Sequence, residues 1–471
     1  MSVITGDPAG LSREAESLRR EVDGPVLLPG DEGFTTEVTG FNVAIRHTPA
    51  LVVGATGVGD VQAAVRFAAR QGLPVAVQAT GHGAVMPVDG AVLITTGRMH
   101  AVTVDPSACT ATIAAGTTWA EVIEHTTPHG LAPLCGSAPG VGAIGYTLGG
   151  GTGPIARTYG FAADHVRELT LVTADGQART VDAVREPDLF WALRGGKGSF
   201  GVVTSMTIDL FPVATLYGGG IFFPAEDASR VLHAYRDWVG TLPETTTTSV
   251  ALLRLPPLPE LPPMLRGRFV AHLRFAHIGE AHEGERLLAP MRAVGSPLID
   301  AVAPMPFAAI GSIHQDPTDP MPSWERGALL RELTADTVDA ILATAGPEVE
   351  APFAVVEVRH LGGALARPAR PENAVGGRDA AFSLLIIGAP VPELFASVIP
   401  GAAGALIGAV EPWLTGGCLL NFQGTATRPE EIARVWPRPV LRRLARLREV
   451  HDPQRVFRFG HAVPDLPEGE D

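Results

Sequence analysis

The sequence predicts an α+β fold of more than one domain, and three observations support this prediction. At 471 residues, the chain is long enough for about two to three domains of ordinary size. Its composition, 46% hydrophobic and 18% charged, is typical of a globular protein with buried cores. Predicted strands and helices alternate with glycine turns up to about residue 215, whereas residues 213–415 have few glycine loops and two proline-rich connections.

The first region begins with a strand–helix–strand unit. Residues 51–53 predict a short strand, and residues 60–71 predict a helix with one apolar face that ends at Gly72. Residues 74–78 predict the next strand. This unit implies that the sheet it belongs to is at least partly parallel.

Capping and turn signals define the elements that follow. Residues 101–116 predict two strands. Thr118 and Glu121 have the spacing of a capping box, which predicts the start of a short helix. Asp175-Gly176 lies between two apolar runs and predicts a hairpin turn.

The second region predicts a helix over about 335–345 and a buried strand over 354–360. Near the C-terminus, Leu441, Leu444 and Leu447 have helical spacing among arginines. This pattern is typical of an amphipathic helix with a solvated face.

Charge and cysteine content exclude several classes of protein. The formal net charge of −14 argues against nucleic acid or an anionic membrane as the main partner. No apolar run is long enough to predict a membrane span, and the N-terminus lacks the pattern of a secretory signal. Three scattered cysteines give no disulfide framework. We therefore expect a cytoplasmic monomer or homodimer.

Two glycine-rich loops carry most of the functional information. The first, residues 79–83, follows a predicted strand and includes His82; the second spans residues 136–153. Dense glycines let main-chain N–H groups approach an anionic ligand, so the loops favour a phosphate-bearing cofactor. Tight turns between strands are the alternative interpretation.

Two common nucleotide motifs do not explain these loops. Gly140, Gly142 and Gly145 match a dinucleotide fingerprint, but we expect no stable helix to follow because of the glycines at 149–151. A phosphate-binding loop is excluded because Lys197 is followed by Gly198, where that motif needs serine or threonine.

Motifs in one order along nearly the whole chain resemble a known family. They are Asn42 with Pro49, Gly81-His82-Gly83, residues 140–153, Tyr159-Gly160 with Asp164, Asp175-Gly176, Asp188 to Trp191, Ser199 to Gly201, Glu357 with Arg359 and Gly362-Gly363, Asn421-Phe422, and Asp452-Pro453 with Phe457. The chain resembles proteins with the FAD-binding domain of vanillyl-alcohol oxidase and p-cresol methylhydroxylase (PCMH) and, more narrowly, bacterial berberine-bridge-enzyme-like (BBE-like) oxidases.

The resemblance implies a fold and its domains. It implies a two-subdomain FAD-binding module of the PCMH type and an α+β substrate domain with an antiparallel sheet covered by helices. The expected boundaries are 1–212 for the FAD-binding domain and 213–415 for the substrate domain. Residues 416–471 are expected to return to the FAD-binding domain.

The resemblance also implies a covalent FAD attached through His82. Some relatives add a cysteinyl link in the second loop, but Ala138 occupies that position, and Cys135 upstream reads as a structural thiol. One link is therefore expected. The implied cofactor-binding residues are His82, Gln78, Ala79, Thr80, Gly81, Gly83, Gly136, Ser137, Ala138, Gly140, Val141, Gly142, Gly145, Tyr146, Gly149, Gly150, Gly153, Gly201, Val203 and Asn421.

The catalytic base is less well defined, because the chain departs from the family pattern. Leu419 replaces the tyrosine of a Tyr-x-Asn element, and Gln78 stands where arginine is common. Glu357 is the first candidate, since on a strand it shares a face with Arg359; an ion pair without a catalytic role is the alternative. His360 and Asn421 are further candidates. Another histidine, His314, is expected at the site entrance or on the surface.

The expected activity is oxidation of an alcohol, phenol or activated C–H bond, with O2 as electron acceptor. The second region is rich in leucine, proline, phenylalanine and alanine, which favours an apolar small molecule. The resemblance implies that this molecule comes from secondary metabolism, for example as an antibiotic intermediate. A carbohydrate oxidase of the same fold and a redox-neutral cyclase or scaffold are the alternatives. No metal site is predicted, because histidines and cysteines lack ligand spacing.

Overall fold

A computed structural model describes residues 8–426 and 428–465. Within this part of the chain the strands form three sheets and the apolar side chains form two large cores. The portions of the predicted segments 1–212 and 416–471 that fall on residues 1–7, 427 and 466–471 lie outside the described residues.

The first sheet has four strands in the order β1-β2-β4-β3. They are β1 (Val26–Leu27), β2 (Leu51–Gly54), β3 (Val75–Gln78) and β4 (Val92–Thr95). β4 runs parallel to both β2 and β3, as the strand–helix–strand unit requires. The first loop therefore leaves the sheet at the carboxyl end of β3.

The second sheet is antiparallel, with strand order β5-β6-β9-β7-β8. Its strands are β5 (Val102–Asp105), β6 (Thr110–Ala114), β7 (Val166–Val172), β8 (Ala178–Asp182) and β9 (Val202–Asp209). The turn at Asp175-Gly176 joins β7 to β8, which confirms the predicted hairpin.

The helices of this region are α1 (Pro8–Leu18), α2 (Phe34–Val38), α3 (Val58–Gln71), α4 (Trp119–Thr126), α5 (Ala143–Leu148), α6 (Ala156–Tyr159) and the kinked α7 (Pro187–Gly196). The predicted capping box opens α4: Glu121 N donates to Thr118 Oγ1 at 3.4 Å, and Thr118 N donates to Glu121 Oε2 at 2.7 Å. Helix α3 buries its apolar face in the core shared by the first two sheets.

The third sheet has eight strands, all antiparallel to their neighbours, in the order β13-β10-β12-β11-β16-β17-β15, with β14 also on β10. They are β10 (Thr215–Pro224), β11 (Thr246–Arg254), β12 (Phe269–His277), β13 (Ile299–Asp300), β14 (Ala303–Pro306), β15 (Glu325–Leu330), β16 (Phe353–His360) and β17 (Phe382–Gly388). Its covering helices are α8 (Ala228–Val239), α9 (Ala281–Arg292), α10 (Ala335–Ala345) and α11 (Val398–Ala409).

One face of the third sheet packs on these helices, and the opposite face carries polar side chains of β11, β12 and β16 toward the first region. This arrangement confirms the predicted α+β class with an antiparallel second sheet.

The last elements are α12 (Pro429–Ala433) and α13 (Arg438–His451). Leu441 and Leu444 of α13 are buried in the first core, and Val75 N donates to Val456 O at 2.9 Å. The end of the chain thus extends the first sheet beside β3. Among the described helices, none has the length and apolarity needed to cross a membrane.

A buried carboxylate anchors the start of α3. Asp60, 4% exposed, accepts hydrogen bonds from the main-chain N–H groups of Asp23 (2.9 Å), Gly24 (3.2 Å) and Thr56 (2.9 Å). Asp60→Asn replaces one acceptor oxygen with an amide group facing N–H donors. We expect a loss of about 2 kcal/mol in the free energy of unfolding, measured in urea. Exposed Asp237→Asn is the control; equal effects of both variants would contradict this account.

Candidate active site

The two glycine-rich loops meet at Thr80. Its Oγ1 lies 2.8 Å from His82 Nδ1 and accepts a hydrogen bond from Gly142 N at 3.3 Å. Its carbonyl oxygen accepts a hydrogen bond from Phe41 N at 2.9 Å. One threonine therefore ties the first loop to the second and to the segment before β2.

His82 is half-buried and rigidly held. Its ring stacks on Phe41, with centroids 3.8 Å apart and planes 15° apart. Burial lowers the pKa of His82 to about 4, because a desolvated imidazolium is disfavoured. The imidazole is therefore neutral at physiological pH, the state in which it can act as a nucleophile.

The first loop needs glycine where it passes the segment around residue 40. Gly81 has φ +75°, and a Cβ there would lie 2.5 Å from Gly40 Cα. Gln78 braces the same segment by donating from Nε2 to Val38 O at 3.3 Å. Gln78 thus stabilises the segment that the first loop packs against.

The second loop exposes its main chain along its first part. A Cβ at Gly140 or Gly145 would meet no atom within 4 Å, so the backbone faces open space at both places. Gly136, by contrast, lies against the ring of Tyr146, 3.0 Å from Cε2. One expectation was wrong: a helix, α5, does follow Gly142. It ends after six residues at Gly149, where the glycine run stops it.

The last glycines of the second loop pack against protein. A Cβ at Gly149 would lie 2.0 Å from Asn421 Oδ1, and one at Gly153 would lie 1.8 Å from Cys135 O. Gly150 has φ +104° and faces Val375. At residues 149, 150 and 153 the glycines thus allow close packing within the protein, which is a structural role like that of the tight turns considered as the alternative.

Two further predicted contacts belong to the second sheet. Gly201 has φ +151°, and a Cβ there would lie 2.6 Å from Val172 O. Val203 is buried within β9. Their contacts to cofactor stay predictions.

The residues present fit FAD. The open backbone at Gly140 and Gly145 can approach a pyrophosphate, and neutral His82 stands at the junction of the loops. Further along the second loop, a cavity is lined by Gly149, Gly151, Thr152, Phe161 and Asn421 among others. Asn421 donates from Nδ2 to Tyr146 O at 2.8 Å, which fixes its amide at this cavity.

The polar face of the third sheet holds a buried ion cluster. Glu357, 3% exposed, accepts from Arg274 Nη1 at 2.8 Å and from Arg359 Nη2 at 3.1 Å. Burial raises the pKa of Glu357, but the charges of Arg359 and Arg274 outweigh burial and hold it well below its usual range. The carboxylate is ionised, and the ion pair considered as an alternative is present.

One member of this cluster was missed from the sequence, and another was expected in a more exposed place. Arg274, the missed residue, lies on β12, two strands from Glu357, and its signal was a charged residue within a strand of alternating polar and apolar residues. His314 was expected at the entrance or on the surface. It is 8% exposed, with Nε2 3.8 Å from Glu357 Oε1.

His360 does not join the cluster. Alternation along β16 turns it to the opposite face, where it contacts Arg157 and stacks on Phe382 with centroids 5.4 Å apart. Burial, with the charge of Arg157, lowers its pKa to about 3. The alternation expected for a strand thus separates His360 from Glu357, and a catalytic role for His360 stays a prediction.

Comparison with known proteins agrees with this geometry. An FAD-binding-domain family model matches residues 49–182. The FAD-linked oxidoreductase YgaK of Bacillus subtilis is 26% identical, covering 95% of this chain and 98% of the relative. (R)-6-hydroxynicotine oxidase of Paenarthrobacter nicotinovorans is also 26% identical, with the same coverage.

Solved structures show the same fold. That of 6-hydroxy-D-nicotine oxidase from Arthrobacter nicotinovorans has a TM-score of 0.79 at 23% identity, covering 94% of this chain and 98% of that one. BBE-like 1 from Physcomitrella patens has a TM-score of 0.82 at 18% identity, covering 96% and 99%. A glucooligosaccharide oxidase from Acremonium strictum, whose FAD is 6-S-cysteinyl and 8α-N1-histidyl, has a TM-score of 0.82 at 21% identity, covering 96% and 99%.

Together, the fold and the two loops define a flavoprotein oxidoreductase with a PCMH-type FAD-binding domain. Within that class, the chain is similar over nearly its whole length to FAD-linked oxidoreductases such as YgaK, and it shares its fold with a BBE-like protein.

Two glycines of the second loop should respond differently to a methyl group. Gly153→Ala forces a Cβ against Cys135 O, and we expect it to cost about 1–3 kcal/mol in unfolding free energy. Gly140→Ala has room, so stability should change by less than about 0.5 kcal/mol while FAD binding weakens. Thermal unfolding and flavin titration measure both. Loss of stability in Gly140→Ala, or no loss in Gly153→Ala, would contradict the division of the second loop into exposed and packed glycines.

Proposed function

We propose that this chain is an FAD-linked oxidase that holds its flavin covalently through His82. It oxidises an alcohol, phenol or activated C–H bond of a fairly apolar small molecule and uses O2 as electron acceptor. The observation that carries the proposal is the neutral, immobilised His82 at the junction of the two glycine-rich loops. We also propose a cytoplasmic role in secondary metabolism.

FAD, when bound, supplies the hydride acceptor for such chemistry. The protein's own contribution begins with Thr80, which fixes the orientation of the His82 ring through Nδ1. Phe41 covers one face of that ring and keeps water from it. A ring held in one orientation loses little further entropy when it reacts.

The residues of the second loop support a single covalent link between the chain and the flavin. Ala138 offers no nucleophile, and the nearby Cys135 is 1% exposed. Burial raises the pKa of Cys135 to about 12, so its thiol stays protonated. His82 is then the point of attachment within these loops.

The substrate side is formed by the polar face of the third sheet. A second cavity lies there, lined by Gly153, Thr247, Ile313, His314 and Arg359 among others. Glu357, directly beside Arg359, is the proposed proton acceptor. Its two arginine partners weaken it as a base, so its environment must change when substrate binds.

A carbohydrate oxidase is the second candidate. It is favoured by a relative named xylooligosaccharide oxidase, from Thermothelomyces thermophilus, that is 31% identical over 47% of this chain. Hydroxyl-bearing Thr247, Thr248 and Ser249 line the second cavity and suit a polar substrate. A redox-neutral role is the third. Anaerobic bleaching of the flavin by an apolar aromatic alcohol, by an oligosaccharide, or by neither separates the three.

The tether is tested by acid precipitation. We expect yellow flavin absorbance to stay with the precipitated native chain and to appear in the supernatant of His82→Ala. His165→Ala is a matched control, because His165 is also half-buried but lies outside both loops. Native flavin found wholly in the supernatant would contradict the tether, and absence of any flavin would contradict the proposed function.

The pH dependence of flavin attachment follows from the pKa of His82. With a pKa of about 4, the ring is already neutral at pH 6. The rate of covalent incorporation into apoprotein should therefore be flat between about pH 6 and 8 and fall near pH 4. Circular dichroism checks that the fold survives. A half-maximal rate near the ordinary histidine value of 6.5 would contradict the buried, neutral state.

A further inference from the structure

The second cavity holds more positive than negative charge. Its cluster contains two arginines, Arg274 and Arg359, which are 5% and 6% exposed, and a single carboxylate, Glu357. His272 and His314 are neutral, since burial and the neighbouring arginines hold their pKa values well below the usual range. The cluster therefore carries a net charge of one positive unit.

An uncompensated buried charge is costly unless something pairs with it. Burial keeps the Tyr146 hydroxyl protonated, so it supplies no negative charge. Asp316 is near enough for its field to raise the pKa of Arg359, but it makes no ion pair within the described residues. Among the described residues, Glu357 is thus the carboxylate that both arginines share in direct contact.

One edge of Arg274 is free to receive an anion. Its Nε donates to His272 Nδ1 at 3.3 Å and its Nη1 donates to Glu357. Its Nη2 donates to no group in the part of the chain that the structure describes. Because Arg274 lines the second cavity, this nitrogen is the available donor there.

An unsatisfied polar atom belongs to the lining of the same space, because His314 Nδ1 is buried without a hydrogen-bond partner. Arg359, which also lines the space, donates from Nη1 to Thr152 O of the second loop at 3.3 Å, and Thr152 Oγ1 is likewise buried without a partner. Buried polar atoms are normally satisfied, so such a group indicates a missing ligand with several acceptors.

We propose that this cavity binds an anionic group of the substrate, a carboxylate or its equivalent, held by Arg274 Nη2. This inference rests on the proposed function, because it names the substrate class for that same site. The substrate is then an apolar molecule bearing one acid group.

The bound anion also explains how Glu357 acts as a base although its two arginine partners weaken it. A bound anion cancels the excess positive charge and makes Glu357 a better proton acceptor. Recognition of the acid group and activation of the base are then one event. A neutral analogue of the same shape gives neither effect.

The test compares phenylacetate with phenylacetamide on the holoenzyme, followed by the visible spectrum of the flavin and by thermal shift. Native protein should bind phenylacetate about 10- to 100-fold more tightly than the amide. In Arg274→Met this preference should fall below about threefold. Arg236→Met, which removes a charge from the outer helix α8, should keep the native preference.

A second readout separates loss of the anchor from loss of the fold. Arg274→Met leaves Glu357 paired with Arg359 alone, so the cluster becomes neutral. Its melting temperature without ligand should equal or exceed that of the native protein. Arg274→Gln repeats the test if the methionine variant does not fold.

Several results would overturn the inference. Equal binding of the two probes by native protein would do so, as would a preference for phenylacetate that survives in Arg274→Met. A changed reduction potential of the flavin in Arg274→Met, with the preference for phenylacetate intact, would also do so. It would show that the positive charge acts on the flavin and not on a substrate anion. Thermal shift needs no flavin, so a chain without flavin that still prefers phenylacetate would contradict the proposed function and leave the anion site standing.

Discussion

The hydroxyl of Thr80 is the contact on which the active site depends. It receives the N–H of Gly142 from the second loop and holds Nδ1 of His82 in the first. Loops of this kind have little conformational preference of their own, because glycine is permissive. Fixing two such loops at one point costs conformational entropy. This cost is offset because the pairing of β3 and the close contact of Gly40 with Gly81 already restrict the first loop.

The third sheet buries charged side chains beside the glycine-rich loops without a loss of stability. It does so by placing Arg274, Glu357 and Arg359 on the face that its covering helices leave free. The cluster is held to the second loop through the contact of Arg359 with Thr152. In the proposed function, substrate recognition and flavin binding share this boundary, and movement of the sheet would affect both.

Local signals made much of the fold predictable. The capping box at Thr118 and the turn at Asp175-Gly176 act over a few residues, and both appear as expected. The helix after Gly142 was missed because the glycines at 149–151 were expected to prevent it. The helix has six residues and ends at Leu148, so those glycines lie beyond it. The alternation of predicted elements indicated the α+β class, and the family resemblance added the PCMH-type module, which spacing alone could not.

The site was predictable only in part, because it depends on which strands become neighbours. His82 was evident within its loop, whereas the partnership of Arg274 with Glu357 requires β11 to lie between β12 and β16. The division of the second loop was equally hidden: Gly140 and Gly153 look alike in sequence, and only the fold places Cys135 O against one of them.

Peptide mapping by mass spectrometry tests the central claim most directly. After proteolysis of the native protein, the account predicts that the mass of FAD is found on the peptide containing His82 and is absent from the peptide containing Cys135 and Ala138. Flavin on the Cys135 peptide, or recovered entirely as free FAD, would contradict the view that the loops position a single neutral histidine for attachment.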